Sequence, residues 1–108
     1  VMVVMVMEKG RLICRVSMLV KNKDWPLIEI VIAAEHFCLQ AAELGLGTCM
    51  IGWFDEKKLQ KLLNIPSGKS IGLVISAGYP EEGYKLRTKV RKGPDEIISW
   101  NAYPVGKQ

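Results

Sequence analysis

The residues from Pro26 to Leu44, PLIEIVIAAEHFCLQAAEL, constrain this chain more than any other stretch. They are largely apolar, and the polar residues Glu29, His36, Gln40 and Glu43 recur at spacings of seven, four and three. On a helix those spacings gather the four into one narrow stripe and leave the rest of the circumference apolar. Proline suits the first helical position, and the residue before it, Trp25, is biased away from helical geometry. A helix is therefore expected from near Pro26, with Gly45 and Gly47 providing the stop. A helix this apolar must be covered on most sides, which places it at the centre of its fold.

The other elements are few. Val1–Met7 is continuously apolar, β-branched at four positions and followed by Glu8-Lys9-Gly10; it reads as a strand buried on both faces. Arg11–Val20 is mixed and compatible with a second strand, and Lys21–Asp24 is a polar connector. Thr48–Trp53 is a short extended piece leading into a second helix. There Asp55 is a good N-cap, and Phe54 and Leu59 are spaced to pack across it. Leu59, Leu62 and Leu63 are expected to form that helix's buried face, with Pro66 closing the segment. Ile71–Ala77 is a further apolar strand, ended by Gly78-Tyr79-Pro80. Tyr84–Lys92 follows as a basic extended stretch, and Pro94–Tyr103 as a short terminal segment. The order implies an α+β (α/β-type) fold, a long central helix packed on a small sheet. With 108 residues the chain suffices for a single small domain. Two or three strands do not cover such a helix, so partner surface is expected from a missing half or from another subunit. A start at Val1, already inside an apolar run, suits an incomplete domain.

Composition narrows the class. At 49% hydrophobic and 24% charged the chain is neither a disordered tail nor a disulfide scaffold. Its three cysteines, Cys14, Cys38 and Cys49, are an odd number without CxxC spacing, which suggests free thiols in a reducing cytoplasm. Val1–Met7 lacks the basic lead and cleavage site of a signal peptide, and is far short of the roughly 20 residues that cross a bilayer. No membrane association is expected.

Four constellations bear on chemistry. Gly45-Leu46-Gly47-Thr48 resembles a phosphate loop in composition, but it follows a helix instead of opening one, so a helix C-cap is the simpler reading. In the alternation Lys85, Arg87, Lys89, Arg91, an extended chain sends all four cations to one side and Leu86, Thr88 and Val90 to the other. Such a row can grip a phosphate through charge-assisted bonds, or it can be an edge strand armed against aggregation. It lacks interleaved aromatics and a reading helix, so nucleic acid is not an expected partner. His36 and Cys38, two apart on one helix, point about 200° away from each other, which argues against a metal site with Cys14 and Cys49. Five serines share a single histidine without a nucleophile-elbow motif. No catalytic side chain stands out, as suits chemistry done by a cofactor.

The run IAAEHFCLQAAELGLGTCMIGWFDEKKLQKLLNIP, the strand and turn LVISAGYP, and the basic stretch followed by DEIISWN occur in that order. Together they resemble the nitroreductase family of FMN-dependent oxidoreductases, over essentially Trp25 to Tyr103. The resemblance implies an FMN site at a homodimer interface and hydride transfer from NAD(P)H to small acceptors such as nitroaromatics or quinones. It also implies that backbone N–H groups of Gly52 and Trp53 approach the flavin ring, and that Lys89 and Arg91 contact the FMN phosphate. It further implies that Trp53 and Phe54 flank the flavin, a role that for Phe54 competes with its packing across the Asp55 cap. The family's N-terminal half, with its Arg/Ser-rich motif, has no counterpart here, so a flavin site built from this chain alone is expected to be incomplete. A non-enzymatic module that dimerises through the long helix stays open as the alternative.

Overall fold

The computed structural model describes residues 1–8, 24–85 and 87–102. The stretch Arg11–Val20, most of the connector before Asp24, Cys14, Leu86 and Tyr103 lie outside the described residues. Three strands, β1 (Met2–Met7), β2 (Gly47–Ile51) and β3 (Ser70–Gly78), form one sheet in the order β1-β3-β2, both pairings antiparallel. Two helices serve it, α1 (Trp25–Glu43) and α2 (Glu56–Leu62), and a single turn of helix, α3 (Pro94–Ile97), follows late in the chain. The expected α+β character holds.

β3 is the organising strand because both of its edges are paired. Its Val74 and Ile75 are the most deeply buried large side chains. Neighbours on a strand face opposite ways, so the centre of the sheet is covered on both sides. Val74 looks toward α2, where Phe54, Leu59 and Leu62 line a common apolar cavity with it; alternation turns Ile75 to the other face. α1 rests on all three strands.

The seat of α1 depends on a bulge. Met5 pairs with Leu73 but Val6 pairs with Ile71, which leaves Gly72 as the extra residue of β3. A Cβ at Gly72 would stand 2.9 Å from Cδ1 and 3.3 Å from Cγ2 of Ile30, and 3.4 Å from Cε of Met7. The missing side chain is what lets Ile30 reach the sheet.

Asp24, an N-cap unnoticed in the sequence, accepts a 3.4 Å bond from the Leu27 N–H, and the helix takes in Trp25 ahead of Pro26. The pre-proline bias is a preference that a good cap overrides, and helix ends carry a residue or two of latitude. His36 donates from Nδ1 to the Ile32 carbonyl at 2.8 Å, one turn back within the helix.

Three expectations of burial need correction. α1 is not covered on most sides: Ile30, Ala34 and Ala41 are its buried residues, an arc of about 40° at the ~100° per residue of a helix. Roughly opposite lie Ile28, Ile32 and Leu39, with Val31 on the flank between, all between 43% and 61% exposed, with exposed Glu35 among them and outside the polar stripe. β1 is an edge strand with half-buried and exposed residues, not one buried on both faces. On α2, Leu59 is half-buried, but Leu62 and Leu63 are 75% and 46% exposed. All three share one cause: the described residues supply one helix and one short helix for a three-stranded sheet, too little surface to close over these side chains. By length and composition α1 would also pass for a membrane span. Its contacts with every strand tie it to the sheet instead.

Where β1 ends and β3 begins, Lys69 Nζ donates to Glu8 Oε1. That bond and the ammonium charge hold the exposed Glu8 carboxyl below its ordinary value of 4.5. A carboxyl depressed in the folded state lends stability that is present above the ordinary value and lost as pH falls through the lowered one. Lys69→Met is therefore expected to lower the urea midpoint slightly at neutral pH, where the exposed pair contributes, and to leave it unchanged in acid once Glu8 is protonated, so that the acid limb of the profile flattens.

Gly72→Ala is expected to destabilise the fold by about 1–3 kcal/mol, the usual cost of overpacking. Adding Ile30→Val, which removes the nearest methyl, should return part of that loss. Urea denaturation of the two variants measures both effects.

Candidate functional site

The chain between α1 and α2 builds a short, well-anchored bend. At the end of α1 the Gly45 N–H donates to the Ala42 carbonyl at 3.0 Å and the Leu46 N–H to the Ala41 carbonyl at 2.8 Å. Gly45 sits at φ +75°, where a side chain is disfavoured. This is a helix-closing cap of the Schellman type, so the cap reading of Gly45-Leu46-Gly47-Thr48 stands. Gly47 takes no part in the stop; it opens β2 opposite Gly78.

β2 then runs along β3 to its last pair, Ile51 with Val74. Gly52, Trp53 and Phe54 form the bend, and the next residue caps α2: Asp55 Oδ1 accepts the Lys58 N–H at 3.0 Å. Phe54 and Leu59 line the same open cavity of about 270 Å³, together with Met2, Ile51 and Leu62, so the expected packing across the cap is present. A polar latch holds α2 to the sheet. Glu56 Oε1 accepts the Ile71 N–H at 2.8 Å, and Gln60 Nε2 donates to the Lys69 carbonyl at 2.8 Å. The bend is thus fixed at one end by the β2–β3 ladder and at the other by a capped, latched helix. Sequence reasoning missed Glu56 and Gln60. Their signal, polar residues at i and i+4 on a short helix, is shared by most solvent-facing helix surfaces.

On this bend the N–H groups of Gly52 and Trp53 make no hydrogen bond among the described residues. A Cβ at Gly52 would meet nothing within 4 Å, and Trp53 is 98% exposed. The result is two consecutive backbone donors beside open space, next to a large aromatic ring.

The structure does not join the bend to the basic row. Lys89 and Arg91 are exposed, as are Lys85 and Arg87, and no hydrogen bond or ion pair links any of them to the bend among the described residues. The described part of the row belongs to no helix or strand, which corrects the edge-strand reading. An alternating pattern becomes a strand when its apolar side is covered and its backbone finds a free edge. The outer edges of β1 and β2 are not taken up by the described part of the row, and Val90 is 97% exposed, so its apolar side is uncovered. The row leaves the fold near an open cleft of about 620 Å³, lined by Thr48, Cys49, Ser76, Tyr79 and Tyr84 around the Gly47–Gly78 pair. That cleft lies at the opposite end of β2 from Gly52.

Cys38 is half-buried and Cys49 exposed, both as free thiols. Among the described residues no three His, Cys, Asp or Glu side chains gather as a metal site would require; Cys14 is outside them.

With this geometry in place, known proteins supply the comparison. The sequence profile described as Nitroreductase family matches residues 18–79, which takes in α1, β2, α2 and β3 and stops short of Lys89 and Arg91. A Staphylococcus epidermidis protein named as an NAD(P)H nitroreductase is 31% identical over 84 residues, covering 71% of this chain and 37% of its own. The crystal structure of a nitroreductase family protein from Clostridium novyi superposes with a TM-score of 0.62 at 31% identity, over 75% of this chain and 42% of that one. An FMN-dependent nitroreductase from Clostridium difficile superposes with a TM-score of 0.66 over 94% of this chain and 57% of that one. At 24% identity this last match speaks for the fold alone. The chain therefore spans less than two thirds of the length of each of these relatives.

Glu56→Ala leaves the Ile71 N–H without its acceptor in a part-buried position, and is expected to cost about 1–3 kcal/mol. Glu56→Gln keeps an oxygen there and should lose much less. Urea midpoints and hydrogen exchange at the Ile71 amide report both.

Proposed function

This chain belongs to the nitroreductase family, and on that premise we propose that it forms part of an FMN-dependent oxidoreductase that reduces small acceptors with NAD(P)H. The bend after β2 carries the reading. Gly52 and Trp53 present two unspent N–H groups on a bend fixed at both ends. At Gly52 no side chain holds a planar ligand off. Such donors fit the polar edge of a flavin ring, where fixed N–H dipoles favour developing negative charge. Lys89 and Arg91 are assigned to the FMN phosphate, through charge-assisted bonds that exposed, extended cations can close on.

FMN held by Gly52, Trp53, Lys89 and Arg91 would supply the redox chemistry, net hydride transfer from NAD(P)H to a nitroaromatic, quinone or similar acceptor. The residues of this chain bind and orient; none is assigned a proton-transfer role. The NAD(P)H nitroreductase of Staphylococcus epidermidis supports the reading by its name.

The rest of the site is assigned to protein surface beyond these 108 residues. The open flank of α1, with Ile28, Val31, Ile32 and Leu39, suits burial against a second copy in a homodimer. A cytoplasmic setting accords with the free thiols Cys38 and Cys49.

FMN titration of the protein expressed from its whole reading frame tests this, read by quenching of flavin fluorescence. Lys89→Glu with Arg91→Glu is expected to weaken FMN binding by about 10- to 100-fold, the range for losing bonds to a charged group. The 108-residue chain alone is expected to bind far more weakly than the whole protein. A whole protein that stays colourless while forming a stable dimer would instead favour the non-enzymatic interaction module.

A further inference from the structure

The fold and the flavin site leave unused the open cleft of about 620 Å³ around the Gly47–Gly78 pair. Its volume falls within the usual range for a small-molecule site, roughly 300–1,000 Å³. The floor is sheet. Cys49 pairs with Ser76, and by alternation both share the face that carries Ile51 and Val74 two residues further along. That face continues into the cavity beneath α2, which Ile51, Phe54 and Val74 line. One strip of sheet surface therefore joins the cleft to the bend, and from Gly47 to Gly52 it runs roughly 17 Å.

Tyr79 and Tyr84 line the cleft beside that floor. A tight turn sets Tyr84 there: its N–H donates to the Glu81 carbonyl at 3.0 Å, and Gly83 takes φ +75°. Such a turn favours a glycine in that conformation at its third position. Polar groups of both signs stand close by. Glu81 and the hydroxyl of Ser76 belong to the lining, while Lys85 follows Tyr84 directly and leads the basic row out with Arg87. Both cations are exposed and make no ion pair among the described residues. Neither is assigned to the FMN phosphate.

We propose that this cleft binds the adenylate end of the pyridine nucleotide while its nicotinamide lies at the bend. This rests on the oxidoreductase reading above and adds a second, remote subsite to it. Tyr79 and Tyr84 hold the adenine by stacking, Glu81 accepts a hydrogen bond from a ribose hydroxyl, and Lys85 and Arg87 meet the adenylate phosphate. Two riboses and a pyrophosphate separate the rings of the dinucleotide, a span comparable with the strip between cleft and bend. Binding energy gathered at this non-reacting end helps to hold the reacting ring in place. A small acceptor has no such second end, so the cleft serves the donor alone.

The experiment uses the whole, FMN-loaded protein. It measures KM for NADH, for NADPH and for reduced nicotinamide mononucleotide, which lacks the adenylate, and follows 5′-AMP binding by equilibrium dialysis. Tyr79→Ala with Tyr84→Ala is expected to raise KM for whichever dinucleotide the wild type uses by about two- to tenfold, the scale of aromatic contacts. 5′-AMP binding should weaken by a similar factor. KM for the mononucleotide, kcat and FMN content should stay unchanged. Lys85→Glu with Arg87→Glu should act in the same direction, and decides by the same readings if the tyrosine variant loses thermal stability. An equal rise for dinucleotide and mononucleotide, no rise for either, or a wild-type protein that retains no 5′-AMP overturns the proposal and leaves the oxidoreductase reading intact. A wild-type protein that takes up no FMN defeats the oxidoreductase reading and this inference with it.

Discussion

The structure hangs on the approach of α1 to β3 at Ile30 and Gly72. A helix whose buried face is an arc of three residues, Ile30, Ala34 and Ala41, has little area with which to hold a sheet. Two of those residues are alanines, which permit close approach but contribute little burial themselves. Ile30 must therefore penetrate, and it does so where the bulge of β3 presents a glycine instead of a side chain. Without that notch the helix would be lifted off the sheet, and the alanines would lose their contact as well.

The position of the bend follows from that seat. α1 ends in a cap with almost no slack, Gly45 reversing the chain so that Gly47 begins β2 opposite Gly78. Four residues later the strand ends at Ile51, so the distance from the helix end to Gly52 is set by strand geometry and not by a flexible loop. α2 closes the arrangement from the other side through Asp55, Glu56 and Gln60. Two exposed backbone donors and a nearly naked indole are thus held out by elements whose own hydrogen bonds are largely satisfied. Pre-organised donors of this kind can stabilise a bound ligand without first being ordered by it.

How much of this was legible in the sequence divides along local and non-local lines. The long helix, the Asp55 cap, the packing of Phe54 with Leu59 and the cap at Gly45 are decided by neighbours within a few residues, and their patterns read correctly. The bulge at Gly72 did not, because a glycine inside IGLVISA is informative only once Ile30 is known to lie above it. Nor did the latch of Glu56, whose partner is the backbone N–H of a residue 15 positions away. The burial expected of Leu62, Leu63 and β1 failed for a different reason. An apolar pattern states which side chains seek cover, and cannot state whether the described residues supply it. The basic row shows the same limit: alternation marked Lys89 and Arg91 as facing one way in an extended chain, yet Val90 found nothing to pack on and no ladder formed.

The two uncovered apolar surfaces, the flank of α1 and the Leu62–Leu63 side of α2, bear on why a binding bend should sit where it does. Both are contiguous with elements that support Gly52 and Trp53, since α1 leads into β2 and α2 begins at the Asp55 cap. The α2 flank shares its helix with the cap that fixes the bend, whereas α1 enters β2 at the end opposite Gly52; a surface on the α2 side would lie nearer the bend, and exclusion of water strengthens each polar contact a ligand makes. Side chains that seek cover and a bend that needs a wall therefore call for the same partner surface. An apolar flank on a helix that also positions a site is thus more than unsatisfied core. Under the proposed function it would couple the cover of the fold to the assembly of the site, with the bend walled once the hydrophobic surface on the α2 side is closed.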